Sequence, residues 1–185
     1  MLFSKIFAAG AVMAASAMAA LTPAQIADSL KTITVQSQKL QGPAQSITIV
    51  NAPLIVIGQG PFPTLIQGFT EIVSTATITI SQLGGTAPIT SDADATIVFD
   101  AFRAFVRVHQ ELLNILIGKA GILTKVPFVG QPIATVLRSV EGVVDTIAIT
   151  LIDLVESRTK DLTSEANSLG STLDLTIERY SSLSV

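Results

Sequence analysis

The chain has 185 residues, with eleven Lys and Arg against fourteen Asp and Glu, a single histidine and no cysteine. Hydrophobic residues make up 49% and charged residues 14%, so stability has to come from apolar burial and a disulfide framework is excluded. The acidic excess argues against a nucleic-acid partner, because phosphate binding needs concentrated Lys and Arg.

Residues 1–19 read as a secretory signal peptide. Lys5 supplies the basic start, "IFAAGAVMAASAMA" is a short apolar core, and Ala17-Met18-Ala19 fits the small-x-small cleavage rule. That apolar stretch is too short to serve well as a membrane span. Cleavage after Ala19 leaves a single domain, residues 20–185, with ten basic and fourteen acidic residues and a net charge of −4. The expectation is a protein secreted to the medium or the cell wall. The asparagine contexts "NAP", "NIL" and "NSL" contain no N-glycosylation sequon, and no lipid-anchor signal is present.

The first element opens at Thr22-Pro23-Ala24-Gln25. Thr22 suits the N-cap, Pro23 the first helical position, and Gln25 closes a capping box. A helical spacing then runs through Ile26, Leu30, Ile33, Ser37, Leu40, Ala44, Ile47, Asn51, Leu54 and Gly58, and seven of these ten positions are apolar. The β-branched runs "ITIV" and "IVI" pull toward strand, but "IVNAPLIVIG" does not alternate as a strand should. The segment is therefore predicted to be helical, with breaks or kinks near Pro43 and Pro53.

The next helix is predicted to open at Pro63, with Leu65, Phe69, Ile72, Ala76, Ile80 and Leu83 on one face, and "GGTAP" ends it. Ser91-Asp92-Ala93-Asp94 starts a third, with acids in its first turn. Its seam is Val98, Phe102, Phe105, His109, Leu112, Leu116, Ala120 and Leu123. After the turn "VPFVGQP", Ile133, Leu137, Val140, Val144, Ile147, Leu151 and Leu154 form a fourth seam. "SRTKD" interrupts it at Arg158, and Leu162, Ala166, Leu169, Leu173, Ile177 and Tyr180 make the fifth. No glycine or proline separates the last two helices. Isolated strands would lack partners among such segments, so the expected fold is all-α, an antiparallel bundle of about five amphipathic helices.

Catalytic chemistry finds no support. His109 lies on an apolar seam with no carboxylate or metal ligand at i±3 or i±4 on its face, which reads as a packed or cavity-lining histidine. No nucleophile elbow, zinc-protease motif or Walker loop occurs. "GQGPFPTLIQG" lacks a phosphate-binding lysine and reads as a hinge. Glu141, Asp145, Asp153 and Glu156 read as a solvated helix face. Neither a metal site nor a cofactor is expected, and the helix charges exclude a transmembrane reading. What stands out is the width of the apolar stripes: Val73 flanks Ile72, Val106 flanks Phe105, and Leu113 flanks Leu112. Such stripes mean a thick core, an internal cavity, or contact with an external hydrophobic phase.

The stretch "DADATIVFDAFRAFVRVHQELLNILIGKAGILTKVPFVGQPIATVLRSVEGVVDTI", above all "VHQELLNILIGKAG" followed by "VLRSVEGVVD", resembles the fungal hydrophobic surface-binding protein A family, also called cell-wall galactomannoproteins. The resemblance covers residues 21 to about 180. It implies a non-enzymatic protein that adsorbs to wax, polyester or lipid surfaces and recruits a secreted esterase or cutinase to them. Some related domains enclose fatty acids in a helical bundle. The leading expectation is therefore a surface adsorber, with a lipid carrier having an internal apolar cavity, or a structural cell-wall protein, as the alternatives. Walls assigned to the cavity are Phe69, Ile72, Phe102, Phe105, His109, Leu113, Leu116, Leu137, Val140, Val144 and Ile147.

Overall fold

The computed structural model describes residues 20–124, 126 and 129–183, so the expected signal peptide lies outside the described residues. Five long helices are present: α1 (Pro23–Gln45), α2 (Pro61–Leu83), α3 (Asp92–Ala120), α4 (Gly130–Leu154) and α5 (Thr159–Ser181). Short 3₁₀ segments occur at Ala52–Ile57, Gly121–Leu123 and Glu156–Arg158, and there is no strand among the described residues.

Local chemistry accounts for the helix starts. The Thr22 hydroxyl accepts the Gln25 backbone N–H at 3.3 Å, and the Gln25 side chain accepts the Thr22 N–H at 2.9 Å, the capping box expected for α1. Ser91 caps α3 by accepting from the Asp94 N–H, and Asp92 and Asp94 face the positive end of its dipole. The threonine-rich α2 stays helical because its hydroxyls find acceptors inside the helix. Thr70, Thr75, Thr77 and Thr79 each donate to the carbonyl four residues back, at 2.8–3.0 Å.

The helices close into a ring. α1 packs on α2 and α3, α2 also on α4, α4 on α5, and α5 back on α3, giving the spatial order α1-α2-α4-α5-α3. Successive helices reverse direction along the chain. Five is an odd number, however, so lateral neighbours cannot all be antiparallel. Cross-contacts settle the directions: Leu40 meets Gly68 and Glu141 meets Asp174 in antiparallel pairs. Ser37 reaches His109 while Ile47 reaches Lys119, so α1 and α3 run parallel. Gln110–Ser168 and Tyr180–Leu116 make α3 and α5 parallel too. The expected all-α bundle of five helices is present, with chain-successive helices antiparallel and some lateral neighbours parallel.

A five-membered ring has a wide centre. With neighbouring axes about 9.5 Å apart, five helices stand roughly 8 Å from the common axis, against roughly 6.5 Å for four. Long side chains have to fill that space, and Phe62, Phe69, Phe102, Phe105 and Tyr180 are all fully buried.

The α4–α5 junction falls where "SRTKD" predicted, without glycine or proline. Val155 leaves helical geometry, and the Ile89 N–H, from the α2–α3 loop, captures the Leu154 carbonyl at 2.7 Å. Arg158 then ties the corner to α3, donating to Thr96 Oγ1 at 2.8 Å and pairing with Asp92 at 3.4 Å.

The expected helix does not continue unbroken across residues 46–58: a turn spans 46–51 and only the 3₁₀ segment Ala52–Ile57, around Pro53, is helical. α1 runs through Pro43 to Gln45 and stops. Beyond it the Asn51 side chain accepts the Thr48 N–H at 2.8 Å and donates to the Ser46 carbonyl at 2.7 Å, while Thr48 Oγ1 accepts the Asn51 N–H. This Asx-type turn competes with helix and wins because Pro53 denies the segment a donor. Gly58 and Gly60, at φ 71° and 81°, reverse the chain into α2, which begins at Pro61 rather than Pro63.

Gly130, in the first turn of α4, lies against the Tyr180 carbonyl and Leu183, so any Cβ there meets backbone that cannot swing aside. Gly130→Ala is expected to cost about 2 kcal/mol by over-packing the α4–α5 end, whereas Gly142→Ala, in open space, is expected to be neutral or stabilising. Chemical denaturation of both variants checks the contrast.

Candidate functional site

All eleven residues assigned to the cavity wall lie in the interior of the ring, none more than 3% exposed. Phe69 and Ile72 come from α2, Phe102, Phe105, His109, Leu113 and Leu116 from α3, and Leu137, Val140, Val144 and Ile147 from α4. The aromatic members gather round the histidine. Phe105 lies 5.4 Å from the His109 ring and Phe69 6.2 Å away in an edge-on arrangement. Phe102 continues the cluster, 6.2 Å from Phe105. The four α4 residues belong to the same core but stand across the ring, because α4 packs on α2 and α5.

Four polar residues are buried among the described residues: Ser37, Thr79, His109 and Thr176. The two threonines are satisfied inside their own helices, donating to Thr75 and Thr172 carbonyls. Ser37 Oγ stands 2.8 Å from His109 Nδ1 and 3.1 Å from the Ile33 carbonyl. The other imidazole nitrogen, Nε2, is buried with no hydrogen-bond partner. Burial alone lowers the His109 pKa to about 4, so the ring is neutral over the ordinary range. Tyr180 closes one end of the interior by donating to the Leu116 carbonyl at 3.1 Å, and burial raises its phenol pKa.

Outside the core, one region differs from the rest of the surface. Each long helix shows one exposed large aliphatic: Val35, Ile78, Ile97, Ile149 and Leu175. The turn between α1 and α2 shows five, with Ile49, Val50, Val56 and Ile57 each at least 65% exposed and Leu54 beside them. No charged residue occurs between Lys39 and Glu71. The turn is tied down from below by Lys119, whose Nζ donates to the Ile47 carbonyl at 2.9 Å. Beside it an open groove of about 500 Å³ is lined by Ile55, Val56, Pro63, Ile66, Gln67 and Pro132.

The acidic residues of α4 behave as a helix face. Asp145, Asp153 and Glu156 are exposed, while Glu141 is half-buried beside Asp174 of α5. Desolvation, then the hydrogen bond and repulsion from Asp174, raise the Glu141 pKa. No group of three or more potential metal ligands occurs among the described residues, and no described helix is long and apolar enough to cross a membrane.

Sequence reasoning missed two features. Ser37 stood on the α1 seam as a polar exception, and pairing it with the other polar seam residue, His109, was the available signal. The exposed turn was hidden by its apolar composition, which fitted a buried helical face equally well.

No protein-family model matches the sequence, and no characterised protein matches it by sequence. The fold does have solved counterparts. Afmp4p, crystallised in complex with palmitic acid, superposes with a TM-score of 0.74 at 17% identity, over 85% of this chain and 99% of that one. Ligand-binding domain 1 of the Penicillium marneffei MP1 protein, complexed with arachidonic acids, gives 0.71 at 16% identity, over 83% and 94%. The chain therefore shares the helical fold of these two proteins.

Burying a neutral imidazole links stability to pH. The folded pKa of about 4 lies below the ordinary 6.5, so in between the unfolded chain binds a proton that the native protein does not. Stability from this residue is complete above 6.5 and is lost as pH falls toward 4, by up to about 3 kcal/mol. Unfolding midpoints measured from pH 7 to pH 4 should fall less steeply in His109→Phe than in the wild type. Equal slopes would show that the ring is not buried neutral.

Proposed function

We propose that this is a secreted, non-enzymatic lipid-binding protein that holds a long-chain amphiphile, with a fatty acid as the simplest case, along the axis of its helical ring. The carrying observation is the ring itself. Five helices packed in a ring enclose an axis wider than a four-helix core, and the eleven candidate residues, carried on three of them, are all buried in the core. The likeness to two bundles solved with palmitic and arachidonic acids supports the reading. In this reading the eleven candidate residues are the walls, and the chain of the ligand replaces contacts that they make with one another. The expected signal peptide and a cell-wall or extracellular address belong to the same proposal.

A second reading rests on a separate observation, the exposed turn at residues 46–58. Its four most exposed aliphatics present the kind of surface that adsorbs to wax, polyester or lipid. Burying them would contribute roughly 5 kcal/mol before ordering costs. Adsorption through one end leaves the ring intact, so the two readings are compatible. A protein held on a polyester in this way would also be placed to bring a secreted esterase or cutinase to it.

The two readings separate experimentally. Organic extraction of the secreted protein should release stoichiometric lipid, and palmitic acid added back at a hundred times its Kd should stabilise the extracted protein by about 2.7 kcal/mol. Absence of both effects would overturn the interior site. Replacing Ile49, Val50, Val56 and Ile57 with serine should abolish depletion from solution onto polyester beads while leaving that thermal shift unchanged. Undiminished depletion would rule out the turn as the adsorbing surface.

A further inference from the structure

We propose that Ser37 and His109 form the head-group site of the interior, and that they select amphiphiles whose polar end is uncharged: a protonated carboxylic acid, an alcohol or an ester rather than a carboxylate. The inference rests on the interior-ligand reading and deepens it by naming the chemical class taken.

The argument starts from the unpartnered nitrogen. His109 Nε2 is a buried polar atom with no hydrogen-bond partner, in a ring fully shielded from solvent. Leaving such an atom unpaired carries a desolvation penalty, part of which a ligand group that reaches it recovers after giving up its own bonds to water. Its sister nitrogen is committed to Ser37 at 2.8 Å, which holds the imidazole plane in one orientation.

Proton counting then limits what Nε2 can meet. Ser37 has one hydroxyl proton. If it goes to the Ile33 carbonyl, 3.1 Å away, Nδ1–H donates to Ser37 and Nε2 is a bare acceptor. A partner must then bring an O–H, as a protonated acid or an alcohol does. If the hydroxyl proton goes to Nδ1 instead, Nε2 carries the hydrogen and meets a carbonyl, as in an acid or an ester. Both arrangements offer one neutral hydrogen bond.

Neither arrangement supports an anion. The His109 ring meets the Ser37 hydroxyl and the Phe69 and Phe105 rings, and burial is what lowers its pKa. The charged groups of the elements packed round it point elsewhere. On α1, Asp28, Lys31 and Lys39 line an outward groove. Glu71 on α2 is exposed and takes Gln67, and on α3 Arg107 is exposed and Glu111 takes Gln41. Gln110, the residue after His109, faces α5 through Ser168 and Thr172. A carboxylate placed at Nε2 would be a buried charge without a counter-ion, which is strongly unfavourable. An acid therefore binds with its proton, while an alcohol has none to lose.

The test uses extracted full-length secreted protein with four probes of equal chain length: palmitic acid, 1-hexadecanol, methyl palmitate and hexadecane. Thermal shift and native mass spectrometry at pH 5 and pH 8 give relative affinities. For the wild type, hexadecanol should bind roughly three- to tenfold more tightly than hexadecane, the worth of one hydrogen bond, with no change between the two pH values. Palmitic acid should weaken by more than tenfold from pH 5 to pH 8. In His109→Phe the preference for hexadecanol over hexadecane should disappear. Palmitic acid binding equally at both pH values, or an unchanged preference in His109→Phe, would overturn the head-group site while the interior-ligand reading stands. Failure of all four probes to bind would overturn both. The pH comparison needs no variant, so a His109→Phe protein that does not fold leaves the proposal open to refutation.

Discussion

Closure of five helices into a ring is the constraint on which the rest of this structure depends. Each helix has two lateral neighbours and turns its remaining apolar width toward a shared axis. Because the chain reverses at every turn, the ring order sets α1–α3, α3–α5 and α2–α4 side by side in the same direction. The enlarged radius demands bulky occupants, and the phenylalanines of α2 and α3 supply them. The wide apolar stripes thus have a geometric cause. A narrower stripe suffices for a four-helix core; here it would leave the axis unfilled.

Within that apolar interior one polar couple is kept. Ser37 and His109 come from parallel neighbours, α1 and α3, and meet because both seams face the axis at the same height. A buried imidazole weakens the fold in mild acid and leaves one nitrogen without a partner. A leucine at the same place would avoid both penalties. The threonines buried elsewhere show that hydroxyls can be satisfied locally, four residues back in their own helices. Nε2 has no such recourse.

The opposite arrangement holds at the α1–α2 end. There the apolar residues are outside and no charge interrupts the segment from Lys39 to Glu71. Hydrogen bonds among Ser46, Thr48 and Asn51, with Lys119 on the Ile47 carbonyl, hold the turn in shape, so its exposure is built by specific contacts. Interior and turn together give one molecule two kinds of apolar surface, one enclosed and one exposed.

Much of this was legible in the residues alone. Helix starts at Thr22 and Ser91, the seams from Phe69 to Leu154 and the corner at Arg158 depend on neighbours a few positions apart, and such short-range chemistry is written directly in the chain. Burial of all eleven wall residues followed from the same periodicity. Tertiary structure decided the rest. Ring order, the parallel pairs and the meeting of Ser37 with His109, seventy-two positions apart, arise from packing between whole helices, which no local pattern encodes. It also turned the apolar run at 46–58 outward: hydrophobic spacing alone does not say which side a neighbouring helix will cover, and there none covers Ile49, Val50, Val56 or Ile57.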